Sequence, residues 1–152
     1  MIALPEDRDF WDTIEFFQPW EFQCQCGESG CDLHGMDRAF LRVLNEFREY
    51  CDFPFTINSG YRCPMHPIEL KKRYPGPHQT GTAADIGAYG PQLVQIIYNL
   101  GTFSEIWKGG TKRGVPFHGV GLNQKGPYKS RFIHLDRAPV QPYRSRPWPW
   151  TY

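Results

Sequence analysis

At 152 residues, 40% of them hydrophobic and 16% aromatic, the chain is too apolar to be disordered and too short for a second sizeable core, so one domain over residues 1–152 is expected. Lys+Arg 17 against Asp+Glu 16 leaves a formal net charge of +1, which argues against duplex DNA or an anionic membrane surface as the partner. No apolar run approaches the length of a membrane span, so membrane insertion is not expected.

The start, Met1 to Asp9, has no basic region followed by an apolar run, so no signal peptide is visible. Synthesis in a cytoplasm is therefore expected, with any extracytoplasmic substrate reached by another route. The next residues are aromatic-rich (Phe10, Trp11, Phe16, Phe17, Trp20, Phe22) and run into a Cys/Gly turn region, Cys24 to Cys31. Cys24, Cys26, Cys31 and His34 could supply four soft ligands to a structural zinc, separate from the candidate site described below. The Cys-x-Cys spacing is tighter than that of common zinc knuckles, however. Free thiols, or a disulfide involving Cys63 in exported material, are the preferred reading, and one metal equivalent is expected.

From Asp37 to about Cys51 the pattern is helical: Phe40, Leu44, Phe47 and Cys51 fall on one stripe, Asp37 suits the N-cap and Pro54 bars continuation. A shorter helix is expected from Pro91 to Leu100, with Leu93, Ile96, Ile97 and Leu100 as its stripe and Gly101 just past its end. Strand-like runs lie at Phe53–Asn58, Ala83–Gly87, Gly119–Asn123 and Arg131–Asp136. Helices and strands do not alternate, which favours α+β with a mainly antiparallel sheet. The tail, Arg144 to Tyr152, holds too much Pro for regular structure, but its aromatic residues should bring it back onto the domain. Lys71, Lys72 and Arg73 read as a solvated loop, and His66 as a polar loop residue.

Two stretches could carry chemistry. In Gly76-Pro77-His78 through Asp85-Ile86-Gly87, a His and an Asp are separated by small residues that let both side chains converge. In Arg131 to Asp136, strand alternation puts Phe132, His134 and Asp136 on one face. Two His and a carboxylate suit zinc, with a fourth position for water whose pKa the metal lowers to about 7. Spacing alone also allows three unrelated surface or core residues.

The first stretch resembles the Ser-x-His-x-x-Gly-x-Ala-x-Asp signature of the peptidase M15 family, with the hedgehog/D-Ala-D-Ala peptidase fold, and the second resembles that family's His-x-Asp strand. Ser59-Gly60-Tyr61-Arg62, Gly119-Val120-Gly121 and the Arg-Pro-x-x-Trp-type ending of phage and prophage members fall in the matching order, over roughly residues 20 to 152. The resemblance implies His78, Asp85 and His134 as zinc ligands. It implies Arg62 as the residue that holds substrate and steadies charge on the attacked carbonyl, although a structural salt bridge is the alternative.

Two departures stand out. Gly76 replaces the family's Ser, and Arg131 replaces an acid that often serves as general base. Asp136 is the substitute, as base or as an orienter of His134, and His118 is a further candidate base. The implied activity is hydrolysis of an amide bond in peptidoglycan stem peptide, by a phage-type endolysin or a D-Ala-D-Ala carboxypeptidase, lysis enzyme or virion component. The competing reading is a non-catalytic zinc-binding or virion structural domain of the same fold.

Overall fold

The computed structural model describes residues 1–28, 31, 35–110 and 114–152. A short strand β1 (Ile2–Ala3) is followed by a single helical turn α1 (Arg8–Trp11), and β1 pairs antiparallel with β2 (Met36–Asp37). This closure joins the N-terminus to the start of α2 (Arg38–Cys51), whose first turn is capped by Asp37 Oδ1 accepting from the Phe40 amide at 3.0 Å. The expected apolar stripe is buried, and Val43 adds to it. Asp52, in the left-handed region at φ 57°, ends the helix.

Helix α3 runs Gly90–Gly109, twice the length anticipated from Pro91 to Leu100. Gly101 does not terminate it. Phe103 and Trp107 prolong the buried stripe past Ile96, with Phe103 packed 5.2 Å from the Phe47 ring. That burial outweighs the roughly 1 kcal/mol that a glycine costs inside a helix.

The main sheet has the order β3-β4-β6-β5-β7, with β3 (Thr56–Ser59), β4 (Ala83–Gly87), β5 (Gly119–Asn123), β6 (Phe132–Asp136) and β7 (Trp148–Thr151). The pairs β3–β4, β4–β6 and β5–β6 are antiparallel and β5–β7 is parallel, giving the α+β, mainly antiparallel arrangement. β3 starts later than Phe53 because Pro54 interrupts the run, while Phe55 turns into the core against Phe47. The tail does return to the domain, but as a strand. β7 lies at the sheet edge, where Pro149 forfeits no bond to a further strand.

Alternation divides the sheet into two faces. Ala84, Ile86, Ile133 and Leu135 join the α2 and α3 side chains in the hydrophobic core. Asp85 and His134 are paired directly across β4 and β6, so their side chains leave from the other face, where Gly119 and Gly121 leave room on β5. Among the described residues, no helix is long and apolar enough to cross a membrane.

Candidate metal centre

Three side chains from separate segments meet on that open face. His78 comes from the loop before β4, Asp85 from β4 and His134 from β6, and each is nearly inaccessible to solvent. The loop reaches its place because Gly81, at φ +70°, lies against the backbone at Gly35, where any Cβ would collide with the Gly35 carbonyl. Its carbonyl accepts from the Asp37 amide at 2.8 Å, tying the loop to β2.

His78 Nε2 lies 3.2 Å from Asp85 Oδ1 and 3.1 Å from His134 Nδ1, and His134 Nδ1 lies 2.8 Å from Asp85 Oδ1. The opposite ring nitrogens are also engaged. His78 Nδ1 donates to the Gly60 carbonyl at 2.6 Å, and His134 Nε2 donates to Asp136 Oδ2 at 3.2 Å. With those protons pointing outward, two imidazole lone pairs and a carboxylate oxygen face one point. Tetrahedral bonds of about 2.0–2.1 Å place such donors about 3.3 Å apart, so the set fits zinc with little adjustment.

The charges of these three groups compensate one another. Burial alone would raise the Asp85 carboxyl, but His78 and His134 beside it hold it far below the usual carboxylate range. Burial pushes His78 down. For His134 burial acts the same way, yet hydrogen bonds to Asp136 and Asp85 win and raise it.

Asp136 is fully buried behind His134. Arg146 grips it through two bonds, Nε to Oδ1 at 3.1 Å and Nη2 to Oδ2 at 2.7 Å, and the Ala138 amide donates to Oδ1 at 2.9 Å. Burial opposes ionisation, but His134 and Arg146 hold its carboxyl at about 2. Its oxygens meet the Nε2 side of His134, away from the nitrogen that faces His78 and Asp85. His118 lies just before β5, its Nδ1 at 3.1 Å from the Ala138 carbonyl, and does not join the three converging side chains. Arg131 donates to the Gly126 carbonyl and covers the Tyr128 ring.

Beside Asp85 opens a cleft of about 480 Å³, lined in part by Gln25, Ser59, Arg62, His66, Lys129 and Phe132. Arg62 donates from Nη2 to Asp85 Oδ2 at 2.7 Å and from Nε to Ser59 Oγ at 3.0 Å. Glu69, whose side chain is wholly buried, lies 3.9 Å from Arg62 Nη1 and accepts from Lys72 Nζ at 2.7 Å. Sequence reasoning missed Glu69, and it gave no site role to Arg146 and Trp150 of the Arg-Pro-x-x-Trp ending; the Trp150 ring lies 5.1 Å from that of His134.

Cys24, Cys26, Cys31 and Cys63 also gather, whereas His34 lies outside the described residues. All five cysteines are free thiols, with no disulfide to Cys63. A sequence model of peptidase M15 matches residues 15–136, a span that contains both clusters. No curated protein matches the chain.

Proposed function

We propose that this chain, which belongs to the peptidase M15 family, is a zinc-dependent peptidase that hydrolyses an amide bond in the stem peptide of bacterial peptidoglycan. The observation that carries the reading is the convergence of His78 Nε2, Asp85 Oδ1 and His134 Nδ1 beside an open cleft, each imidazole held by its other nitrogen. Zinc at that point would supply Lewis acidity, polarising a scissile carbonyl and making water nucleophilic near neutral pH.

The chain's own residues divide the remaining work. Arg62 is fixed by Asp85 and Ser59 and faces the cleft, so its charge steadies the ligand carboxylate and the negative charge that grows on an attacked carbonyl. His66 accepts from the Ile68 amide at Nδ1, which leaves its neutral ring with a proton on Nε2 to donate to a peptide carbonyl. Lys129 adds positive charge to the same cleft and suits a peptide bearing a free carboxylate, as stem peptides do. Asp136, occupied by Arg146, acts in this reading by orienting His134 rather than by taking a proton. An endolysin or a D-Ala-D-Ala carboxypeptidase, with phage origin, fits the tail and the charge of the cleft.

One observation favours the rival, a non-catalytic zinc-binding or virion structural domain. Asp85 is the sole carboxylate among the described lining residues, and it is already engaged. Defined muropeptides incubated with the protein, with and without a chelator, decide between them. Cleavage that the chelator abolishes supports the peptidase, and product masses identify the bond. Intact muropeptides under all conditions support the rival.

A further inference from the structure

We propose that Cys24, Cys26, Cys31 and Cys63 bind a second, structural zinc ion that fastens the N-terminal loop to the turn carrying Arg62. Their four sulfurs lie within 4.8 Å of one another, and Cys63 Sγ is 3.8 Å from Cys26 Sγ. Four sulfurs about 2.3 Å from a central zinc would stand about 3.8 Å apart. The set therefore has the dimensions of a tetrathiolate cage. It differs from the four ligands suggested by sequence spacing, because Cys63 supplies the fourth sulfur from far along the chain.

Packing supports a ligand role over a filling role. Cys51, Cys24 and Cys63 are all buried, yet of these three only Cys51 packs within the contiguous cluster of core side chains. The Cys63 amide donates to Cys24 Sγ at 3.2 Å, the kind of bond that stabilises a thiolate. Residues 23–28 have no helix or strand to hold them, although Gln25 lines the cleft. On binding, the four thiols release their protons to solvent and the metal replaces them.

The consequence reaches the other centre. Cys63 directly follows Arg62, and the same turn provides the Gly60 carbonyl that receives His78 Nδ1. The Arg62 amide donates to the His78 carbonyl at 3.3 Å, and the Tyr61 amide to the Phe22 carbonyl at 2.9 Å. A zinc bound to Cys63 thus holds in register the turn that orients one ligand and presents the cleft arginine.

The test uses the full chain purified under reductant, with metal counted by elemental analysis and cobalt(II) as a spectroscopic probe. Two zinc equivalents are expected, falling to one in the double variant His78→Ala/His134→Ala and to one in Cys26→Ser. Cobalt in the double-His variant should show intense thiolate-to-metal charge-transfer absorption, and Cys26→Ser should lose it. If Cys26→Ser fails to fold, the double-His variant still decides. A double-His variant without thiolate absorption would overturn the proposal, as would unfolding without reductant and with chelator that frees fewer than the five thiols of the sequence. Thiolate absorption in a wild type with no metal at the histidines would support this site while contradicting the peptidase reading.

Discussion

Arg62 donates to Asp85 Oδ2 at 2.7 Å while the other oxygen of Asp85 faces His78 and His134. One carboxylate therefore joins the cleft arginine to the candidate metal point, so the salt bridge anticipated for Arg62 is present on the guanidinium for which charge stabilisation is proposed. Arg62→Ala should weaken zinc binding by about 10–100-fold, the usual effect of losing a partner of a ligand. At saturating zinc it should still lower turnover by on the order of 10²–10³. Arg62→Lys should recover part of each, since a point charge cannot meet Ser59 and Asp85 with the same fork. Chelator competition and turnover check this, and unchanged values in Arg62→Ala would remove both roles.

Asp136 sits between His134 and Arg146, and this defines a different experiment. Asp136→Asn keeps an acceptor for His134 but loses the charge that faces Arg146. Zinc affinity should fall by about 10–100-fold, while the rate at saturating zinc should drop by less than the 10²–10⁴ typical of a lost base. Arg146→Ala should destabilise the fold by about 3–5 kcal/mol, because the buried Asp136 charge loses its partner. A large rate loss with intact zinc affinity in Asp136→Asn would restore Asp136 as the base.

Two glycines should respond to alanine with opposite signs. A Cβ on Gly121 would lie 2.6 Å from the Trp150 ring, so Gly121→Ala must displace β7 and should cost roughly 1–3 kcal/mol. Nothing lies within 4 Å of a Cβ on Gly101 in the middle of α3, and Gly101→Ala should stabilise by roughly 0.5–1 kcal/mol. Thermal denaturation reads both. Equal shifts in the two variants would contradict the packing of β7 over β5.

Local patterns in the sequence disclosed much of this arrangement. Asp37 and the Phe40–Cys51 stripe give α2 because cap, periodicity and a following proline agree. Ala83–Gly87 and Gly119–Asn123 are the strands expected, and β6 differs by one residue. The three converging side chains are suggested by motif and Asp136 by its place on the strand face of His134, while the hold of the Gly60 carbonyl on His78 is visible only in space. What remained hidden depends on distant partners. Phe47 and the aromatic core carry α3 across Gly101, and an edge position lets Pro149 join β7. Cys63 reaches the other cysteines, and Arg146 reaches Asp136, across the fold.

The measurement closest to the central claim follows hydrolysis of one defined muropeptide by protein stripped of metal and then resupplied with zinc, alongside Asp85→Ala. The wild type should be inactive when stripped and active again with zinc, and Asp85→Ala should remain inactive because one of three donor atoms is gone. Hydrolysis by the stripped wild type, hydrolysis by zinc-supplied Asp85→Ala at the wild-type rate, or no hydrolysis by the zinc-supplied wild type would each contradict a zinc peptidase built on His78, Asp85 and His134.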